Sequence, residues 1–212
     1  MNNLKDQVYD YITTRIVSGE ITPEDRIDEQ KISAELNVSK TPVREALLQL
    51  YAEGVLDKAP RKGFSVKGLG EEEVCQLYVV IGALDGLAAY LACDRIEEDI
   101  IKEMEFYTLS MDLAINTGHF SMYYKQQLIF HQLYTAKCGN NLLAEKISEL
   151  KKKLLKSNYE IDDPENKKKI LLDTNSQHKK IVELLRKRKK DELRKYIEEV
   201  HWDPAKALWE SF

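Results

Sequence analysis

The sequence predicts a mainly α protein: an amino-terminal winged helix-turn-helix with a small β-hairpin wing, then an all-α helical bundle. Three observations carry this. Apolar residues recur at helical spacing through most of the chain. Two short alternating segments, VLDKA and GFSVK, stand between breakers after Gly54. From Glu71 to Trp209 no strand-like alternation returns. Gly68 and Gly70 flank Leu69 as a hinge, so the expected domains are 1–68 and 69–212.

The first helix runs from about Asn3 to Ser18, with Leu4, Val8, Tyr11, Ile12 and Ile16 on one face and Gly19 at its end. GEITPEDR reads as a turn. A short second helix fits Asp28 to Leu36, with Asp28 as cap and Ile32 and Leu36 inward, and a turn at Asn37 and Val38 leads to the third. That third helix has Ser39 or Thr41 as its cap and Pro42 in its first turn, where a missing N–H costs nothing. Val43, Ala46, Leu47, Leu50 and Tyr51 form its buried stripe. The two strands come next, joined by a turn at Pro60 to Gly63.

The third helix opens with Lys40, Thr41 and Arg44, although the amino end of a helix already carries partial positive charge and favours acids. A polyanion resolves the conflict. In a winged helix-turn-helix this helix enters the major groove of double-stranded DNA. Arg44 then has the geometry to fork onto guanine O6 and N7, while Ser39, Lys40 and Thr41 reach bases or phosphates. The wing residues Arg61, Lys62 and Gly63 are placed for the neighbouring minor groove or its phosphates.

Composition limits the partners. The formal net charge of −4 excludes binding through general basicity, so phosphate contacts must be local. KAPRKGFSVK carries four cations and no acid, whereas the next helix opens with Glu71, Glu72 and Glu73. The three cysteines, Cys75, Cys93 and Cys138, lack C-x-x-C spacing and read as core thiols. No run of eighteen apolar residues and no signal-peptide pattern occurs, so the expectation is a cytoplasmic protein without a membrane partner.

Six helices are expected in the bundle: 71–93, 97–117, 120–137, 141–158, 163–187 and 191–202. The lysine run Lys151 to Lys153 reads as a solvated helix face. His119, beside Gly118, reads as a cap or surface residue. If RKRKKDE turns an antiparallel helix pair, with Asp191 capping the second helix, His178 and His201 lie at equal height, each about 17 Å from the turn. His131 lies on another helix, with Gln127 one turn before it on the same face. Three imidazoles converging in a bundle core would suit Zn(II) or Ni(II) and leave a position open for a ligand. The spacing by itself fits three buried, hydrogen-bonded histidines better. Helical position also marks Tyr78, Asp85, Tyr124 and Asn175 as candidate cavity residues.

LNVSKTPVREALLQLYAEGVL followed by KGFSV closely resembles the GntR family of bacterial winged-helix regulators. LDGLAAYLA at 84–92, FHQLYTAKCGNNLL at 130–143 and the run from His178 to His201 resemble its FadR-type subgroup, which has an all-helical FCD effector domain. The resemblance implies a divalent metal held by His131, His178 and His201 with an acidic residue four before the first. Here that position is Gln127, so the site loses a negative charge and suits zinc or nickel better than a hard cation. An arginine of the subgroup that meets carboxylate effectors is Ile81 here. Glu24 stands where glycine is usual, and Lys40 where arginine is common, giving a point charge instead of a planar fork.

The expected function is therefore a homodimeric, sequence-specific DNA-binding regulator whose helical domain binds a small-molecule effector, with operator half-sites roughly 34 Å apart. Two other readings stand beside it: a DNA-binding dimer without effector, and a three-histidine metal-dependent enzyme. Against the enzyme, no H-E-x-x-H, nucleophile elbow or paired-carboxylate motif accompanies the histidines.

Overall fold

The computed structural model describes residues 3–17, 20–23, 25–59, 63–154 and 164–207. Among them the chain forms two compact units, residues 3–69 with Lys152–Leu154 in one and Gly70–Lys151 with 164–207 in the other. The expectations for Gly19, Glu24, Arg61 and Lys62 fall outside the described residues, as does the stretch 155–163 between two bundle helices.

In the first unit, α1 (Leu4–Val17), α2 (Glu29–Glu35) and α3 (Lys40–Ala52) pack around a shared apolar core. From α1, Val8, Ile12 and Ile16 are buried, whereas Leu4 in the first turn is half exposed. Asp28 caps α2 by accepting from the backbone N–H groups of Gln30 and Lys31. Asn37, at φ 51°, makes the left-handed turn into α3, a conformation asparagine tolerates better than most residues. Val43, Ala46, Leu47 and Leu50 face the core as expected. Tyr51 does not: it stays 46% exposed and meets the Phe64 ring edge-on at 6.4 Å, covering the base of the wing.

The wing is larger than a hairpin. β2 (Leu56–Ala59) and β3 (Gly63–Val66) pair antiparallel, and β1 (Arg26–Ile27), which starts on the last residue of the segment read as a turn, adds to the other edge of β3 in the order β1-β3-β2. Ile27 opposite Phe64 explains the third strand, since both side chains are buried in the same core. A two-residue strand shows too little alternation to be read from sequence.

The second unit is the helical bundle: α4 (Glu71–Ala92), α5 (Glu98–Asn116), α6 (Phe120–Thr135), α7 (Asn141–Leu154, whose last three residues are grouped with the first unit), α8 (Pro164–Arg186) and α9 (Lys190–Tyr196). α9 runs into a π-helical turn, Ile197–His201, and then a short 3-10 helix, Pro204–Lys206. α5 packs against α6 and α8, and α4 against α6, α9 and the π turn. Lys189, not Asp191, holds the position before α9, and Asp191 lies inside the first turn, where its charge favours the dipole. α4 is long and apolar enough to cross a membrane by length and composition, but in this fold it is a core helix with the fully buried Asp85 along it.

Candidate functional site

The π turn brings the last histidine to the others. One extra residue per turn rotates the chain beyond it, and His201 points inward, with the Trp202 ring edge-on to it at 5.5 Å. Two glycines let this turn approach α4. A Cβ at Gly82 would stand 2.9 Å from Cβ of Trp202, and one at Gly86 would stand 3.1 Å from the Arg194 carbonyl oxygen.

His131 on α6, His178 on α8 and His201 are all buried, and one ring nitrogen from each lies within 4.8 Å of the other two. The His178 and His201 rings, expected only to lie at equal height, are 4.8 Å apart between centroids. Nε2 of His131 and Nε2 of His201 face each other at 3.2 Å, and Nε2 of His178 has no hydrogen-bond partner among the described residues.

Each ring is held from its other nitrogen. Nδ1 of His201 lies 2.9 Å from Oε1 of Gln177, whose amide nitrogen donates to Asp173. Nδ1 of His178 lies 3.3 Å from Oδ1 of Asn175, whose amide nitrogen donates to the Thr108 carbonyl and to Asp112, so its oxygen must face the ring. Nδ1 of His131 lies 2.7 Å from the Tyr134 hydroxyl and 3.1 Å from Oδ2 of Asp85. Oxygen acceptors at Nδ1 call for the proton there and leave the Nε2 lone pairs converging.

Burial lowers the pKa of all three rings. For His131, burial and then the Lys151 charge push it down to about 4 against the pull of Asp85. Burial together with neighbouring charges holds His178 and His201 well below the usual range. The rings are therefore neutral near pH 7, the form that ligates metal. Bonds of about 2.1 Å at tetrahedral angles imply nitrogens roughly 3.4 Å apart, close to the spacing across His131 and His201. Together with the orphaned His178 nitrogen, this donor set fits a divalent metal.

Lys151 is the main departure from expectation. It is 4% exposed, not on a solvated face. Its Nζ donates to Oδ2 of Asp85 at 3.1 Å and lies 5.1 Å from the centre of the Trp202 ring. For Asp85, burial alone would raise the pKa, but Lys151 and His131 outweigh it and hold the carboxyl far below its ordinary value. A lysine inside a run of three carries no sequence mark of burial; only its pairing with Asp85 reveals it.

The other cavity candidates divide. Asp85 and Asn175 hold histidine rings. Tyr78 is buried edge-on against Trp202 at 5.0 Å. Tyr124 is buried beside Tyr123, its phenol pushed up to about 12 by burial. Gln127 is buried one turn before His131. Outside the cluster, His119 is exposed at the start of α6, its Nδ1 2.9 Å from the Thr117 hydroxyl.

On the first unit, Ser39, Lys40, Thr41 and Arg44 are exposed at the amino end of α3, and Gly63 is exposed at the start of β3. Ser39 occupies the cap position but makes no side-chain capping bond, and Thr41 lies within the helix. The first turn contains no acid, so its N–H groups remain available to an anion. Arg44 is not free in solution: its Nε donates to Oε2 of Glu29 at 2.7 Å.

Fold and site together define a class, a winged helix-turn-helix unit combined with a helical bundle that encloses a metal-competent histidine cluster. Residues 4–66 match the bacterial regulatory proteins of the gntR family, and residues 76–200 match the FCD domain. The chain belongs to the GntR family, in the group that carries an FCD domain, a family of transcriptional regulators and not of enzymes. It is 30% identical over 112 residues to the HTH-type regulator YdhC of Bacillus subtilis, covering 53% of this chain and 50% of that one. It is 36% identical over 96 residues to the Nta operon transcriptional regulator of Aminobacter aminovorans, covering 45% and 46%. The chain thus spans about half the length of these two relatives. With the repressor RspR of Escherichia coli it shares 27% identity over 188 residues, 89% of this chain and 81% of the relative. Among solved structures, Escherichia coli McbR/YncC superposes with a TM-score of 0.83 over 99% of both chains at 22% identity. A GntR regulator from Rhodococcus sp. RHA1 does so with 0.79, over 98% of this chain and 99% of that one at 16%.

Proposed function

We propose that this chain is a cytoplasmic, homodimeric, sequence-specific DNA-binding regulator. Residues 1–68 read an operator, and residues 69–212 bind a small-molecule effector at a divalent metal held by His131, His178 and His201. The convergence of three Nε2 lone pairs, each ring fixed by an oxygen at Nδ1, carries the metal part. Without a cation these lone pairs oppose one another in a buried site. Three neutral nitrogens and the neutral Gln127 favour a borderline ion, zinc or nickel. Such an ion supplies Lewis acidity and an exchangeable position for an effector oxygen or nitrogen.

The DNA part rests on the uncapped, acid-free amino end of α3. Lys40, Thr41 and Ser39 reach phosphates and base edges, Arg44 reads a base, and the wing with Arg61, Lys62 and Gly63 holds the adjacent backbone. Two copies read two half-sites. An effector then changes operator occupancy through its different affinity for the two states of the dimer, with coupling of about 1–3 kcal/mol.

Elemental analysis of the full chain purified without added metal, and of His178→Ala, tests the centre. Close to one zinc or nickel per wild-type chain and traces in the variant are expected. Traces in both would leave a regulator whose histidines are structural. Genomic fragments retained by the protein, screened with metabolites that release them, identify operator and effector. Retention indifferent to every metabolite would favour a DNA-binding dimer without effector.

A further inference from the structure

Asp85 brings a buried carboxylate against the histidine cluster, and it has an unusual arrangement. Its Oδ2 accepts from the Tyr134 hydroxyl at 2.8 Å, from Nε1 of Trp202 at 2.8 Å and from Nζ of Lys151 at 3.1 Å. The same oxygen lies 3.1 Å from Nδ1 of His131, while Oδ1 is buried with no hydrogen-bond partner among the described residues. His178 and His201 are held by neutral amides from Asn175 and Gln177. Of the three rings, His131 is the one that faces a carboxylate.

A buried carboxylate needs a counter-charge, or it takes a proton and ceases to be an anion. Lys151 supplies that charge from α7. Trp202, directly after His201 in the chain, and Tyr134, one turn after His131, point their donors at the same oxygen. The carboxylate is thereby pinned by three elements besides its own α4.

We propose that Asp85 is the positioning residue for His131, and that Lys151, Trp202 and Tyr134 hold its carboxylate in place for that task. The carboxylate fixes the proton on Nδ1, aims Nε2 at the cluster and raises the donor strength of that one ring. This assigns Asp85 a role behind a metal ligand instead of contact with an effector. The inference rests on the proposed metal centre, but its first consequence, the proton position on His131, exists without metal. Carboxylate partners of ligating histidines typically change metal affinity about 10–100-fold.

The test uses full-length protein labelled with 15N in histidine, metal-free and titrated with zinc against a chromophoric chelator. Wild type, Asp85→Asn and Tyr134→Phe are compared. In metal-free wild type, the His131 nitrogen shifts should report a single Nδ1–H tautomer. Asp85→Asn should mix the tautomers and weaken zinc binding about 10–100-fold. Tyr134→Phe removes the other oxygen near Nδ1, so it should keep the Nδ1–H form and cost less affinity than Asp85→Asn. An Asp85→Asn protein with an unchanged tautomer and unchanged zinc affinity overturns the proposal. So does loss of the tautomer in Tyr134→Phe, which would assign the role to the phenol. If wild type binds no zinc, the metal reading fails, and the metal-free tautomer in the two variants still decides the role of Asp85. If Asp85→Asn does not fold, Tyr134→Phe decides alone.

Discussion

Arg44 carries its own intramolecular partner. Its Nε is bonded to Glu29 while the side chain stays largely exposed, and the terminal nitrogens are the part that can fork onto a guanine edge. Arg44→Ala should cost about 1–3 kcal/mol on the operator and relax preference at one base pair, measured by fluorescence anisotropy on operator and scrambled duplexes. Equal losses on both would remove the base-reading role. The buried rings make a second prediction at this scale. Unfolded histidine titrates near 6.5, whereas His131 in the fold is pushed down to about 4 and the other two also lie low. As pH falls through that window the unfolded chain takes up protons and the folded rings do not. Metal-free protein should therefore lose stability between about pH 6.5 and 4, by about 1.4 kcal/mol per pH unit for His131, with the other two buried rings adding in the same direction. Urea unfolding across that range measures it; a flat profile from 7 to 5 would contradict ring burial. Individual residues were unevenly legible. The histidines stood out because their type is rare and their register calculable. Lys151 did not, because charge in a helical run normally means solvent, and only a carboxylate on a distant helix reverses the preference.

Among the elements, α4 and the π turn depend on each other. Gly82 and Gly86 lie on the face where the turn packs, and Gly82 has the Trp202 side chain where a methyl group would go. Gly82→Ala should push the turn away, destabilise by about 1–3 kcal/mol as an overpacked contact and weaken zinc binding, because His201 and Trp202 travel with the turn. Calorimetry with a zinc titration checks both; lost stability with intact affinity would show that the turn does not set the ring. Helical elements were easy to recognise from apolar period and breakers, and their described ends in the bundle fell within two residues of expectation except that of α9, which stops at Tyr196 and continues as the π turn. The π turn was hidden, since one inserted residue barely disturbs a periodicity. β1 was hidden for the opposite reason: its two residues pair because Ile27 joins the core of α1 and α3, a long-range cause that no local pattern records.

The molecule as a whole joins two compact units whose sequences speak of different partners, a locally cationic helix end in one and a histidine-lined interior in the other. Zinc at about 100 times its dissociation constant should stabilise the bundle by about 2.7 kcal/mol, and His178→Ala should lose that increment. Thermal melts at several zinc concentrations give the answer; superimposable curves would argue that the ion does not bind. Each imidazole is anchored at its outer nitrogen by a neighbouring side chain. On the proposed metal reading, an ion enters a socket whose walls these anchors hold. Exchanging one borderline ion for another should leave the backbone still, so whatever news a metabolite delivers must come from its own bulk and charge against the surrounding walls.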